Sequence, residues 1–255
     1  MAKPDHLFVQ SVAKAMGLLE ALGSRPQPLT LSQLALQAGM DRSTAQRLAH
    51  TLATLGYLEK GPGGRGYVLG KKILERTFDF LRGSSLIERA TPILTDLQKE
   101  TGERIDLSLF DDLSIIYALR RQTKRQTFFA TLVGRRIPVY CSSGGRAIMS
   151  HLSDEAIDDI LGRSSLKALT PKTETNRARI KEKVRQAKAM HYAIALEESL
   201  LGEIALACAI LDHNRQPVAA VHIAGSLSEW TPEKFAQRFA PLAIETARAL
   251  SGAPK

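Results

Sequence analysis

The chain has 255 residues, of which 44% are hydrophobic and 24% are charged, as expected for a globular protein with a full core. It has no apolar run long enough to span a bilayer and no apolar secretory core, so we expect a cytoplasmic protein with no membrane partner. Its two cysteines, Cys141 and Cys208, make neither a disulfide framework nor a zinc cluster.

The net charge of +9 is concentrated towards the N-terminus. Residues 1–83 hold eleven Lys/Arg and six Asp/Glu, whereas residues 84–255 hold twenty-four and twenty. The N-terminal third is therefore the more basic part per residue, and this favours a polyanion as its partner.

Two short helices are predicted before residue 40. Apolar residues recur at helical spacing within residues 12–22, and a loop with two prolines follows at 25–28. Thr30 has the character of an N-cap, and Gln33 completes a capping box. The second helix is predicted to stop at Gly39.

The third predicted helix has Asp41 as its N-cap and Gly56 as its C-terminal stop. One face is apolar, and the other is rich in hydrogen-bond donors with almost no carboxylates, which suits phosphates and base edges in a major groove. A polar face alone is common on surface helices, so the neighbouring elements must support this interpretation. The residues predicted to contact DNA here are Arg42, Ser43, Thr44, Gln46, Arg47 and His50.

A glycine-rich loop between residues 57–60 and 67–69 predicts a β-hairpin. In isolation it is equally well a plain surface hairpin. Directly after a helix-turn-helix, however, it has the position of a wing, and Arg65 at its tip can reach a minor groove or a phosphate.

The remaining chain alternates between helical and strand patterns. Pro92 predicts a new start or a kink in a helix over residues 86–101. The basic run 120–125 predicts a solvated loop, or charges that protect the edge of the sheet from pairing with another chain. The alternative is a second anion site. Helices are predicted near 71–81, 145–151, 154–161, 174–190 and 232–250, and strands near 105–109, 113–119, 128–133, 191–197, 203–211 and 217–224. The fold class is α+β, with a mainly antiparallel sheet.

Several stretches together resemble the IclR-type transcriptional regulators. They are LTLSQLA at 29–35, DRSTAQRL at 41–48, LGYL at 55–58, RRIPVYCSSGGRA at 135–147 and the strands near 197–225. The resemblance covers nearly the whole chain. It implies a winged helix-turn-helix DNA-binding domain over 1–70, a linker helix over 71–83 that helps form a dimer, and a GAF-like effector-binding and oligomerisation domain over 84–255.

The stretch Ser142-Ser143-Gly144-Gly145 ends a strand and opens a helix. Its backbone N–H groups and hydroxyls suit a carboxylate at the positive end of the helix. From the residues alone, an N-cap with glycines for close packing is the favoured interpretation, and the resemblance reverses that preference. By the family alignment, Ala205, Ala209, His222 and Ala224 also face the pocket, whereas Cys208 faces away.

Two departures from the family pattern concern the effector. The family often has a polar or acidic residue where this chain has Ala195, and a cysteine where it has Ala205. Since small residues leave room, we predict an aromatic or otherwise small carboxylic acid. His222 can donate to such an acid, and a satisfied core histidine is a comparable alternative.

The predicted function is a ligand-responsive, sequence-specific regulator, repressor or activator, that binds operator DNA as a homodimer or homotetramer and needs no cofactor. One alternative is a small-acid-processing enzyme that uses Cys141, Ser142, Ser143 or His222, although no Ser-His-Asp or Cys-His pair is evident. Another is a metal-responsive regulator that uses Asp212, His213 or His222, although no metal-ligand spacing appears.

Overall fold

The computed structural model describes residues 7–23, 27–122 and 133–252, and it divides into two compact units, 1–83 and 84–255. The helices are α1 (Gln10–Gly23), α2 (Leu31–Gln37), α3 (Arg42–Thr54), α4 (Lys72–Arg82), α5 (Ser85–Thr101), α6 (Ser143–Met149), α7 (Asp154–Arg163), α8 (Arg177–Met190) and α9 (Pro232–Leu250). The strands are β1 (Leu58–Lys60), β2 (Tyr67–Leu69), β3 (Arg104–Asp111), β4 (Ser114–Arg121), β5 (Arg136–Pro138), β6 (Ala193–Leu196), β7 (Glu203–Leu211) and β8 (Pro217–Ser226). Within these ranges, none of the helices combines the length and apolar character that a membrane crossing needs.

The first unit is a winged helix-turn-helix, as the sequence predicts. Helices α1, α2 and α3 bury a shared apolar core that includes Leu18, Leu34 and Ala49. Strands β1 and β2 pair in antiparallel fashion and form the wing. Leu29 adds a bridge to Tyr67, so the segment before α2 is joined to the wing.

The predicted N-caps of α2 and α3 and the predicted stop of α3 at Gly56 are confirmed, whereas α2 ends at Gln37, two residues before the predicted stop at Gly39. Thr30 caps α2, and Gln33 reaches back to the Thr30 N–H at 2.9 Å, which completes the capping box. The Asp41 carboxylate accepts the Thr44 N–H at the start of α3. Gly56 follows α3 with a φ of 84°, the left-handed conformation that glycine adopts without steric cost.

Helix α4 presents large apolar side chains to solvent. Leu74 is 71% exposed, and Phe78 and Phe80 are each 60% exposed. The alternative in which the two phenylalanines merely pack on their own domain is therefore wrong for this unit. The role of α4 as a linker and dimer helix stays a prediction.

The second unit contains one antiparallel sheet in the order β5-β4-β3-β8-β7-β6. Helix α6 packs on the face that carries His222, because Gly144 lies against that ring. Helix α9 packs on the other face, where Phe235 lies against Gly225. The sheet therefore lies between helices, and its α6 face carries the predicted effector residues of β7 and β8, which are Ala205, Ala209, His222 and Ala224.

Some sequence-based boundaries differ from the structure. Helix α5 continues through Pro92 without a new start, because Ser84 caps one end, Gly102 ends the other, and Ala90 and Leu94 are buried on either side of the proline. Helix α8 begins at Arg177 rather than near 174, since Asn176 caps it. Of the loop at 25–28 and the strand predicted at 128–133, residues 25–26 and 128–132 lie outside the described residues, and residue 133 lies in a turn.

Candidate nucleic-acid interface and effector site

The polar face of α3 carries cations without counter-charges. Arg42 and Arg47 are exposed, as are Gln46 and His50. No acidic group of the described residues forms an ion pair with either arginine. An exposed, unpaired guanidinium keeps its full capacity to donate to a phosphate or to a guanine edge.

The two hydroxyls of this face are occupied by the N-cap. Ser43 and Thr44 each donate to the Asp41 carboxylate at 2.7 Å. The side-chain and backbone hydrogen bonds of Thr44, together with that of Ser43, hold the pKa of Asp41 well below its usual range. In the free protein these hydroxyls therefore fix the first turn of α3, and a contact with DNA would need them to share or exchange this bond.

The wing carries a further cation. Arg65 is exposed in the loop between β1 and β2, and the Gly61 N–H closes this loop by donating to the Gly66 carbonyl at 3.2 Å. Lys60 packs over the Tyr67 ring with Nζ 3.9 Å from the ring centroid. Arg65 has no ion-pair partner among the described residues, so the wing and α3 both carry free positive charge.

The α6 face of the sheet is organised in cross-strand rows, because directly paired residues point to the same side. The first row is Ala195, Ala205, Ala224 and Arg104; the second is Ala193, Ala207, His222, Asp106 and Arg120; the third is Ala209, Ala220, Ser108 and Tyr117. The structure therefore brings Ala205 and Ala224 together beside His222. Ala209 lies two rows away and packs with Ala147, Ala187 and Ala207 instead.

A buried ionic cluster flanks these alanines. Asp106 accepts from Arg104 Nε at 3.0 Å and from Arg120 Nε and Nη2 at 3.0 and 2.8 Å. Arg104 Nη2 also donates to Glu203 at 2.6 Å. The side chain of Arg120 is 1% exposed, and its guanidinium lies 3.8 Å from the Tyr117 ring centroid. The interpretation of the basic run as a solvated loop is therefore wrong for Arg120, and residues 123–125 lie outside the described residues.

One donor of this cluster has no acceptor. Arg120 Nη1 is buried and makes no hydrogen bond. A buried donor that lacks a partner costs about 1–3 kcal/mol. The face predicted from the sequence did not include Arg104, Asp106, Arg120 or Tyr117, which the strand pairing places beside it. The alternation over residues 105–109 placed Asp106 on the face of Ser108, but its pairing with Arg120 and His222 depends on the register of three strands.

His222 is held neutral in the interior. Its Nε2 lies 2.7 Å from Ser108 Oγ, and its Nδ1 lies 3.5 Å from Ser143 Oγ. Burial lowers the pKa of His222 to about 4. A methyl group on Gly144 would lie 2.3 Å from its Cε1, so only glycine allows α6 to pack this closely. These contacts match the alternative of a satisfied core histidine, and contact between His222 and an effector stays a prediction.

The loop Ser142–Gly145 is closely packed. Ser142 Oγ accepts the Gly145 N–H at 3.1 Å and donates to the Pro138 carbonyl at 3.1 Å. A methyl group on Gly145 would lie 2.2 Å from Val139 Cα. Ser142 is therefore an N-cap and Gly145 a site of close approach, and Ser143 is the residue of the loop whose hydroxyl contacts His222.

Arg146 fixes α6 to the rest of the second unit. Its Nη1 and Nη2 each donate to Glu198 at 2.6 Å, and its Nε donates to the Tyr140 carbonyl. Lys183 Nζ also donates to Glu198, at 2.8 Å. Burial raises the pKa of Glu198, but the bonds from Arg146 and Lys183 outweigh it and hold the pKa below its usual value. Arg146 is fully buried and each of its three guanidinium nitrogens donates a hydrogen bond, so it positions the loop.

The structure also bears on the two alternative functions. Ser143 and His222 form a serine–histidine pair that the sequence did not reveal, but the third group is the Ser108 hydroxyl instead of a carboxylate. Burial raises the pKa of Cys141 to about 12, so its reactive thiolate is disfavoured. Among the described residues, no group of three or more His, Cys, Asp or Glu could hold a metal ion.

Two family models match the chain. The IclR helix-turn-helix domain matches residues 11–62, and the model described as bacterial transcriptional regulator IclR C-terminal matches residues 78–252. The chain is 29% identical to the transcriptional repressor IclR of Escherichia coli over 94% of this chain and 88% of the relative. It is 31% identical to the Pca operon regulatory protein of Acinetobacter baylyi over 95% of this chain and 88% of the relative. The Thermotoga maritima IclR structure is 26% identical, with a TM-score of 0.69, and the match covers 94% of this chain and 98% of that chain.

Proposed function

The chain belongs to the IclR family of bacterial transcriptional regulators, and on this premise we propose how it reads DNA and what it senses. It is a DNA-binding regulator that responds to a small-molecule effector, and its relatives are regulators rather than enzymes. The finer proposal is that a cytoplasmic homodimer or homotetramer places two α3 helices in successive major grooves of a pseudo-palindromic operator.

The observation that carries the DNA proposal is the unpaired polar face of α3. Arg42 and Arg47 donate to phosphates or guanine edges, Gln46 and His50 add donors, and Arg65 contacts the backbone from the wing. Ser43 and Thr44 share their hydroxyls between Asp41 and the DNA.

Fluorescence anisotropy tests this proposal with the intergenic duplex upstream of the protein's own gene and a scrambled duplex of equal composition. Specific binding predicts an affinity ratio of roughly 10³ or more at physiological salt. Equal affinity for the two duplexes would contradict sequence-specific reading.

For the effector, we propose a small aromatic carboxylic acid over the α6 face of the sheet. Ala195, Ala205 and Ala224 supply an apolar floor of small side chains for a ring. Arg120 Nη1 has no acceptor within the protein, and in the proposed complex it donates to the carboxylate of the effector. Asp106 continues to accept from Nη2 of the same guanidinium. A hydrogen bond to a charged group contributes about 1.5–3 kcal/mol.

Two similar proteins support the ligand class. The p-hydroxybenzoate hydroxylase transcriptional activator of Acinetobacter baylyi is 26% identical to this chain. An IclR homologue from Microbacterium hydrocarbonoxydans, which shares the fold at 22% identity, was solved in complex with 4-hydroxybenzoate. Both names point to a hydroxybenzoate as the first probe.

Calorimetric titration with 4-hydroxybenzoate and 4-hydroxybenzamide tests the carboxylate anchor. We expect the acid to bind at least tenfold more tightly, and Ala205→Leu to abolish binding while operator affinity is retained. Val218→Leu, at the more exposed end of β8, is the matched control and retains binding. Equal binding of acid and amide, or undiminished binding by Ala205→Leu, would contradict the proposed pose.

Self-association is proposed from the apolar surface of the first unit. A cleft of about 570 Å³ lies between α1, α3 and α4, with Met16, Leu55 and Ile73 in its walls. The exposed Leu74 and Phe78 extend the apolar surface of α4. Sedimentation velocity of Phe78→Asp tests this surface, and we expect a lower oligomeric state than for the unmodified chain. An unchanged sedimentation coefficient would contradict the proposed dimer surface.

A further inference from the structure

A second cavity lies in the second unit, beside Ala209 of the third row and the C-terminal end of α9. Its volume is about 480 Å³, within the range of small-molecule sites. Its walls come from α9, from β7 near Ala209 and Leu211, and from three connecting segments that follow α6, α8 and β7. None of the charged residues of this cavity takes part in the proposed binding of the effector.

The charged residues of this cavity all carry, or can carry, positive charge. They are His151, His191, Arg215 and Arg248, and no carboxylate is among the described residues that line the cavity. Lys188 lines an adjoining cavity of about 290 Å³ that shares both histidines. Throughout the described part of the chain, no acidic group forms an ion pair with Lys188, Arg215 or Arg248. Elsewhere in this unit cations such as Arg163 and Lys181 do have carboxylate partners.

The backbone supports a specific arrangement of these cations. His191 and Arg215 have φ values of 61° and 63°, in the left-handed region that side-chain-bearing residues rarely adopt. Both occur where a chain reverses, at the end of α8 and in the turn between β7 and β8. Glycine or asparagine would adopt these positions at lower cost, yet they carry a histidine and an arginine whose side chains line the same cavity.

The pKa of His151 reflects the positive charges around it. Burial lowers the pKa of His151, and the charges of Arg215, His191 and Lys188 lower it further. The titratable groups around the cavity are these four, Arg248 from α9 and Cys208 from β7, whose thiol is buried with a pKa of about 12. A bound anion would offset the mutual repulsion and raise the pKa of His151.

We propose that this cavity binds a small anion with two or more negative charges, carried by phosphate groups or by several carboxylates, as a second ligand site of the regulator. Arg215 and Arg248 bind the charged groups from two sides, and His151 and His191 add donors. The site accounts for Arg215 and Arg248, which have no carboxylate partner among the described residues.

Calorimetric titration of the full-length protein at 150 mM salt tests this site with inorganic pyrophosphate and citrate as probes. We expect saturable binding of at least one probe, and the stronger of the two identifies phosphate or carboxylate as the preferred group. Arg215→Asn, which suits the left-handed backbone, and Arg248→Gln should each weaken binding about tenfold or more. Arg179→Gln, an exposed arginine of α8, is the control and leaves binding unchanged.

Two further measurements make the outcome decisive. Histidine NMR titration should show a higher pKa for His151 with the probe bound, and 4-hydroxybenzoate should not compete with the probe. The proposal is overturned if neither probe saturates, if both variants bind as the unmodified chain does, or if 4-hydroxybenzoate displaces the probe. It is also overturned if a random DNA duplex displaces the probe and loses affinity in Arg248→Gln, since the cavity would then hold the DNA backbone.

Discussion

The α3 face and the α6 face of the sheet use arginine in opposite ways. On α3, Arg42 and Arg47 are exposed and have no acidic partner among the described residues. On the sheet, Arg120 is buried, is paired with Asp106 along one edge, and retains one donor without an acceptor. The first arrangement suits a large polyanion that supplies many phosphates, and the second suits one small acid that completes a single buried contact.

The largest predicted effect is a loss of stability that is confined to the second unit. Glu198→Ala removes the partner of a fully buried Arg146, and breaking such a pair costs about 3–5 kcal/mol. Hydrogen exchange followed by mass spectrometry should show α6 and β7 losing protection, whereas α1 to α3 keep theirs. Equal loss in both units would mean that the two are not separate folding units.

Arg47→Ala tests the other side of the comparison. We expect operator affinity to fall on the order of 10- to 100-fold, because a bidentate base contact contributes roughly 1–3 kcal/mol of discrimination. Binding of 4-hydroxybenzoate should be unchanged, as measured by calorimetry. The control is Arg179→Ala in α8, which should retain both activities. Loss of both activities in Arg47→Ala would instead indicate a folding role.

His222 predicts a pH dependence of the second unit. Its pKa is about 4 in the folded chain and about 6.5 in an unfolded one, so between these values only the unfolded chain binds the proton. Stability therefore falls as the pH is lowered from 6.5 to 4, by up to about 1.4 kcal/mol per pH unit from this residue. Urea unfolding at pH 7, 6 and 5 gives the free energy of unfolding at each pH. This free energy should fall less steeply with decreasing pH for His222→Gln than for the unmodified chain. Identical slopes for the two proteins would refute the assignment.

The smallest effect is expected at the wing. Arg65→Ala should lower the affinity for operator DNA and for scrambled DNA by similar factors, since a phosphate contact carries no sequence information. The slope of log affinity against log salt should decrease in magnitude by about 0.9, the value for one released counterion. Anisotropy at four salt concentrations measures this slope. A loss of affinity for the operator alone would instead indicate that Arg65 contacts a base edge.

The two regions also differ in how far the sequence could predict them. The α3 face depends on contacts within one helix and its caps, so Asp41, Gly56 and the donor face could be predicted residue by residue. The wing followed from its glycine-rich loop in the same way. These features are local in sequence, and local patterns determine them.

The effector face depends on pairing between strands that are distant in the chain. Ala205 and Ala224 were placed by the family alignment, and the structure pairs them. The cluster of Arg104, Asp106 and Arg120 could not be predicted, because it requires the register of β3 with β4 and β8. Arg120 shows the consequence most clearly, since its charged neighbours in sequence suggested a solvated run.

We propose that an acid bound in the second unit controls DNA binding by the first. The direct test measures operator affinity by anisotropy with and without saturating 4-hydroxybenzoate, and acid affinity by calorimetry with and without operator. Linkage requires that each ligand change the affinity of the other by the same factor, and we expect a factor of roughly 5–150 that is absent in Ala205→Leu. Coupling between the two units is contradicted if the acid binds to the protein but the affinity for the operator is the same with and without it.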